Sequence, residues 1–414
     1  MKEMKVLIVY PPNQLNPTEA PRPDGSLGPL CLAGALEREG FAVDVVDASV
    51  GTSEDRLEDT FYRRVMQPNG LVRIGMSAER IREYVAGNDY DVVAIHSNFT
   101  PQTRMALEVA RVTKEANPKA LVIAGGVNAR NLPERFLRSG WVDAVCSTEG
   151  EKIIVKAVKA WSRRSLDGVD GLILLENDKL IRRSPLPDSI FQDLDESSMP
   201  AWPKLQLDKY SEINSPHGDT VLQEKVYYAS LMTSLGCPYR CSYCHISLEK
   251  ERPGDIGHLR LKSVDRVMAE IEFLKSLGVR KIYFEDDSLL AKKERVRKIF
   301  RNLLNAGLKI ADVNGVNLVH FLIRNSKTGK LEVDRDYLEL LLASGFDTIV
   351  FPVESGSQRV LDKYATSKIN LGTMDVVEMT RIASQLGITC PVNMMIGFPD
   401  ETEDEIMRSV DLEK

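Results

Sequence analysis

The sequence predicts an α/β chain in two parts, each built on a parallel sheet with helices against it. Three observations carry this. At 414 residues the chain is too long for one small module and has volume for more than one core. Short β-branched runs alternate with amphipathic helical stretches, first over residues 5–161 and again from Tyr227. Between them lies a stretch punctuated by Pro185, Pro187, Pro200, Pro203 and Pro216, with no periodic pattern of its own.

In the first part, residues 1–162, strands are expected at 6–10, 42–46, 92–96, 120–124 and 144–146, with helices at 30–39, 101–116 and 149–162. Strand, helix, strand order demands crossovers, and crossovers make neighbouring strands parallel. Five such strands suit a flavodoxin-like doubly wound sheet, whose ligand sits outside the carboxyl ends of the strands. Residues 163–226 read as a small hairpin, Leu172 to Leu175 turning at Glu176-Asn177-Asp178, followed by a proline-rich linker. In the second part, residues 227–414, strands are expected at 229–234, 281–285, 312–316, 348–353 and 389–396, with helices such as 264–277 and 295–304.

Charge and hydropathy narrow the function classes. Lys and Arg number 54 against 60 Asp and Glu, a net charge of −6, so generic attraction to nucleic acid or anionic lipid is not expected. No apolar run reaches the roughly 18 residues a membrane span needs, and the opening strand is too short for a secretory signal, which places the chain in the cytoplasm. Of six cysteines, Cys31, Cys146 and Cys390 are isolated and read as small buried apolar residues. Cys237, Cys241 and Cys244 fall together, a spacing for metal ligation in a reducing compartment rather than for a disulfide framework.

These three thiols lie in Ser234-Leu235-Gly236-Cys237-Pro238-Tyr239-Arg240-Cys241-Ser242-Tyr243-Cys244, on the loop leaving the first strand of the second part. A loop lets three sulfurs converge, where a strand would alternate them across two faces. Soft thiolates favour iron–sulfur clusters or zinc, and three of them leave one metal position open. The zinc alternative needs completion by His245 or His217, whereas structural zinc sites usually pair ligand groups from two segments and no second pair is visible.

The CxxxCxxC with Tyr243 before its third cysteine resembles the signature of the radical S-adenosylmethionine (SAM) enzymes. The resemblance implies that Cys237, Cys241 and Cys244 hold a 4Fe-4S cluster whose fourth iron binds SAM, and that reductive cleavage there yields a 5′-deoxyadenosyl radical. It extends along the second part. Phe284-Glu285-Asp286-Asp287 closes the second strand, where the family meets the SAM ammonium. Val353-Glu354-Ser355-Gly356-Ser357 closes the fourth and resembles the ribose-contacting segment. Met394 to Thr402, with Ile396 and Gly397, resembles the GFPxET segment beside the adenine. Each has a plainer reading alone, as helix cap, strand-end carboxylate or turn. Their order at successive strand ends is what makes the resemblance specific. The family's catalytic unit is a partial barrel of six strand–helix pairs, and this chain reaches its acidic last helix after the fifth strand; a barrel with its C-terminal part missing is expected.

A flavodoxin-like domain in front of such a unit resembles the cobalamin-binding domain of a large branch of that family. The residues are Ser97 and Thr100 after the third strand, Gly125 and Gly126 after the fourth, Glu149 and Gly150 opening the next helix, and Pro12 after the first strand. No DxHxxG loop follows the first strand, where residues 13–16 are Asn-Gln-Leu-Asn, so a histidine ligand below cobalt is not expected, and His96 reads as packed. The implied activity is methyl transfer to an unreactive centre through methylcobalamin, with a small-molecule substrate and a one-electron donor such as flavodoxin or ferredoxin. The alternatives are an oxidative cyclase or rearrangement enzyme of tetrapyrrole or natural-product synthesis, a tRNA methylthiotransferase, and a non-catalytic corrinoid or zinc protein. The methylthiotransferase reading asks for three further cluster cysteines in the first part, where only Cys31 and Cys146 stand.

Overall fold

The structure, a computed structural model, describes residues 4–21, 25–214, 225–254, 256–365 and 368–413. Pro216 and His217 lie outside the described residues. The chain divides into two units, Met1–Gln192 with Glu196–Tyr227, and Asp193–Asp195 with Tyr228–Lys414.

The first unit carries strands β1 (Lys5–Tyr10), β2 (Ala42–Asp47), β3 (Val92–His96), β4 (Leu121–Gly125) and β5 (Ala144–Cys146), followed by β6 (Leu172–Glu176) and β7 (Lys179–Arg182). They form one sheet in the order β7-β6-β5-β4-β3-β1-β2, parallel from β2 to β5. The first five strands therefore have the flavodoxin-like order 2-1-3-4-5. Alternate residues of each strand face opposite cores. Leu7, Val9, Val93, Ile95, Val122 and Ala124 meet the helices Ala78–Asn88 and Thr103–Ala116. Val6, Ile8, Val92, Ala94, Leu121 and Ile123 meet Leu27–Arg38 and Glu151–Trp161. Continuous apolar strands are thus explained by burial on both faces.

Three local readings are corrected. The hairpin expected at the start of residues 163–226 joins the first sheet: β6 pairs antiparallel with β5 and widens it. Residues 183–214 strap that unit, with Tyr210 donating to Asp47 at 2.7 Å and Lys204 to the Val43 carbonyl at 2.7 Å. The helix Ala78–Asn88, capped by Ser77, was not expected, nor was a small antiparallel sheet of Asn13–Leu15, Val65–Met66 and Val72–Ile74.

The second unit carries β8 (Tyr227–Leu231), β9 (Val279–Phe284), β10 (Lys309–Asp312), β11 (Phe346–Thr348), β12 (Phe351–Glu354) and β13 (Val392–Met394). β8-β9-β10-β11 form one sheet, β12 pairs with β13, and a parallel bridge from Thr348 to Thr389 joins the two sets. The expected third strand at 312–316 instead ends at Asp312, whose carboxylate accepts from the Gly315 N–H at 2.9 Å and closes a turn around the left-handed Gly315. The expected strand at 348–353 is interrupted between β11 and β12. The expected strand at 229–234 divides into β8 and a short pair, Ser234–Leu235 against Arg260–Leu261. Among the described residues no helix is long and apolar enough to cross a membrane.

Candidate active site

The three-cysteine loop leaves the second sheet beyond the C-terminal end of β8. Gly236 starts it in a left-handed conformation, φ +78°, and a Cβ there would lie 2.3 Å from the His258 carbonyl oxygen. Only glycine fits that approach. The Gly236 N–H donates to Asp287 Oδ2 at 2.8 Å and the Cys237 N–H to the Gly257 carbonyl at 3.2 Å, which fixes the entry. The exit turns through the Cys244 N–H to the Cys241 carbonyl at 3.1 Å, and Ser247 Oγ donates to that carbonyl at 2.8 Å. Cys241 is buried; Cys237 and Cys244 are half-buried. Burial pushes the Cys237 and Cys244 thiols up, and the neighbouring Cys241 sulfur raises both further.

Asp286 is fully buried, and its oxygens accept from the Thr233 N–H at 2.9 and 3.1 Å, Thr233 Oγ1 at 2.7 Å and Ser234 Oγ at 2.6 Å. Through these bonds Asp286 braces the strand end that launches the cysteine loop. Burial still raises its carboxyl above the usual range. Glu285 is half-buried, its carbonyl held by Asn314 Nδ2 at 2.7 Å. Asp312, in register with Phe284, is pushed up to about 7 by burial, and its Oδ1 has no protein partner.

The segment after β12 also divides its labour. Glu354, 7% exposed, holds φ +72°, an uncommon backbone for a residue other than glycine. Its Oε1 lies 2.7 Å from Lys368 Nζ, and its carboxylate hydrogen-bonds the Tyr243 phenol. Ser355 is wholly buried, with Oγ accepting from the Ser357 N–H at 3.1 Å. It lies against Ser409 of the helix Glu403–Glu413, the two hydroxyls 3.5 Å apart. Gly356 donates to Ser409 Oγ at 2.8 Å and Ser357 Oγ to Glu405 Oε1 at 2.8 Å, docking that helix.

After β13, Ile396 is 67% exposed and Gly397 stands at φ +92°. The turn is closed by Glu401 Oε2, which accepts from the Gly397 N–H at 2.7 Å and the Phe398 N–H at 3.3 Å. Phe398 packs edge-on against Tyr243, centroids 5.7 Å apart, and stacks on Tyr364 at 4.9 Å. The expected cysteine loop and GFPxET segment therefore meet through aromatic rings. Tyr364, whose carbonyl accepts from the Ser242 N–H at 2.8 Å, and Lys368, paired with Glu354, carry no spacing signal; both are met only in the folded chain.

In the first unit, the expected corrin-binding residues lie at the carboxyl end of the sheet. Thr100 is exposed, Gly125, Glu149 and Gly150 are half-buried, and Pro12 is buried. Ser97 is fully buried and its hydroxyl accepts from Asn128 Nδ2 at 2.8 Å. Gly126, φ +101°, is also required by packing, since a Cβ would sit 2.5 Å from the Ser97 carbonyl oxygen. His96 stacks on Tyr10, centroids 5.2 Å apart, and burial pushes its imidazole down to about 4. Phe99, 63% exposed, stands at the same edge. Of the lone cysteines Cys146 is buried as expected, whereas Cys31 and Cys390 are half-buried.

The donor set fits a cluster. Three thiols stand on one short loop, Cys241 buried and Cys237 and Cys244 half-buried, and among the described residues no three His, Cys, Asp or Glu side chains are grouped to hold a single ion. Thiolates that each take a separate iron need to be near without converging. At the first unit's sheet end, exposed Thr100 and the half-buried glycines leave backbone open to a bulky ligand, which fits a corrin.

A doubly wound domain and a parallel α/β unit with a three-thiol loop at its reaction end define a two-cofactor radical enzyme. The comparisons agree: the model of the radical SAM superfamily matches residues 231–412, and that of the B12 binding domain matches residues 25–158. The two models together cover most of the chain and support the cobalamin-dependent radical SAM family. It is 29% identical to the "uncharacterized methyltransferase PH0819" of Pyrococcus horikoshii, over 100% of this chain and 78% of that one. It is 26% identical to the cytidylyl-2-hydroxyethylphosphonate methyltransferase of Streptomyces wedmorensis, over 95% and 73%. The fold is similar to that of the radical SAM methyltransferase TsrM from Kitasatospora setae with cobalamin and [4Fe-4S] cluster bound, with a TM-score of 0.71 and 19% identity over 99% of this chain and 72% of that one.

Proposed function

We propose that the protein is a cobalamin-dependent radical SAM methyltransferase acting on an unactivated carbon or phosphorus centre of a small molecule. The observation that carries the reading is the three-thiol loop at the carboxyl end of the second sheet, in a chain whose methyltransferase relatives match it almost end to end. When bound, the cluster and cobalamin supply one-electron cleavage of SAM and a cobalt-borne methyl group.

The chain's own residues do the rest. Cys237, Cys241 and Cys244 hold the cluster; Gly236, Asp286 and Asp287 fix the loop from behind. Glu285, Glu354 and the turn at Ile396-Gly397 present polar groups and open backbone to SAM, and Tyr243 sits between the loop and Glu354. Thr100, Gly125, Glu149 and Gly150 face the corrin. We read the second sheet as most of a six-stranded partial barrel, the protein as cytoplasmic, and a flavodoxin or ferredoxin as its electron donor.

The test is anaerobic reconstitution with iron, sulfide and cobalamin, followed by incubation with SAM and reductant. The reading predicts 5′-deoxyadenosine together with S-adenosylhomocysteine. Cys241→Ala abolishes the deoxyadenosine. Full cleavage by that variant contradicts the site; deoxyadenosine without S-adenosylhomocysteine in the presence of substrate favours the cyclase class.

A further inference from the structure

We propose that Lys250 sets the reduction potential of the cluster: its ammonium, buried against the cysteine loop, stabilises the reduced cluster and raises the potential at which an electron enters. This deepens the reading above and rests on it. Enclosure is the first observation. Lys250 is 8% exposed and ends the short helix His245–Glu249 that follows Cys244, its N–H donating to the Ile246 carbonyl at 3.2 Å. Its Nζ turns back to donate to the Tyr239 carbonyl, between Cys237 and Cys241. The stem runs beside Gly257, where a Cβ would lie 2.8 Å from Lys250 Cγ, and the Gly257 carbonyl accepts from the Cys237 N–H. The cation is therefore held to the loop at its entry and at its middle.

The second observation is charge. Among the described residues no carboxylate pairs with this ammonium, and the Tyr239 carbonyl is its one recorded acceptor. A buried charge without an opposite one is costly. Burial pushes the Lys250 ammonium down from its ordinary value, and the three loop sulfurs oppose that, Cys237 most. A 4Fe-4S core on three thiolates is anionic and supplies the missing charge.

The other charges at the loop do not replace it. Arg240 is exposed, where water and salt screen it. Asp287, whose Oδ2 takes the Gly236 N–H, carries the opposite sign. Reduction adds an electron and no proton, so the cluster becomes more negative. A fixed, poorly screened cation favours that state. The electron comes from the one-electron donor, or in the test from titanium(III) citrate, which is oxidised to titanium(IV).

The experiment is an EPR-monitored redox titration of the full chain, anaerobically reconstituted, with iron content as the check on loading. K250Q keeps an N–H for the Tyr239 carbonyl and loses the charge; K250R keeps the charge. K250Q is expected to lower the reduced-to-oxidised ratio at a fixed potential about tenfold, which for a one-electron couple is a midpoint about 59 mV more negative. K250R stays near the wild type. An unchanged midpoint in K250Q overturns the assignment, and so does a K250R midpoint as low as that of K250Q. Loss of iron with the midpoint of the remaining clusters unmoved overturns it too, because Lys250 then only braces the loop. Should K250Q take up no cluster, K250M carries the same comparison; failure of both to load makes Lys250 a brace and overturns the assignment. Wild-type protein with no reduced-cluster signal overturns the family reading and this assignment together; a wild-type signal with unmoved variants overturns the assignment alone.

Discussion

Asp286 stands in a segment that resembles the family's ligand-facing one and is also a buried brace: its carboxylate accepts from Thr233 and Ser234. Asp286→Ala leaves an N–H and two hydroxyls buried without an acceptor. Stability is expected to fall by about 3 kcal/mol or more, and iron content with it. Denaturant melts check this; unchanged stability with lost SAM binding would return Asp286 to the ligand. His96 gives a pH prediction. Its folded midpoint near 4 lies below the unfolded value of 6.5, so protonation favours the unfolded chain. The stabilisation is complete above 6.5 and is lost as pH falls toward 4. For a half-buried ring we take the loss as roughly 1 to 2 kcal/mol. His96→Phe, which keeps an aromatic ring against Tyr10, should flatten that acid limb in thermal melts; an unchanged limb would show that the stacked imidazole does not titrate as described.

At the scale of elements, the segment between β12 and its helix Gln358–Tyr364 is a docking device. A Cβ on Gly356 would lie 2.6 Å from the Arg408 carbonyl carbon and oxygen and 2.8 Å from the Ser409 nitrogen. Gly356→Ala should push the helix Glu403–Glu413 off, at a cost of about 1 to 3 kcal/mol, and expose it to limited proteolysis. Unaltered cleavage and melting would contradict this role. Sequence periodicity reached the strands of the first sheet because their apolar residues are buried on both faces. It missed Ala78–Asn88, whose face is short, with Ile81 and Val85 as its buried apolar residues. It missed the small antiparallel sheet because its strands run two or three residues. The strand at 312–316 was misplaced because Val313 and Val316 flank a turn governed by Asp312 and Gly315.

For the whole molecule, the cysteine spacing and the ordered segments at successive strand ends were legible because they are local in sequence. Which of their side chains point outward was not. Ser97, Asp286 and Ser355 carry the right chemistry, and each is wholly buried and hydrogen-bonded within the fold. The B12 binding domain model matches within the first unit and the radical SAM model within the second, and the residues proposed for each cofactor lie toward the carboxyl ends of the strands of that unit. The most direct measurement is low-temperature EPR of the anaerobically reconstituted, dithionite-reduced protein, with and without SAM. The account predicts the signal of a reduced 4Fe-4S cluster that changes when SAM is added, because one iron is left without a protein ligand. A protein with no such paramagnetic signal, or a signal indifferent to SAM, would contradict it.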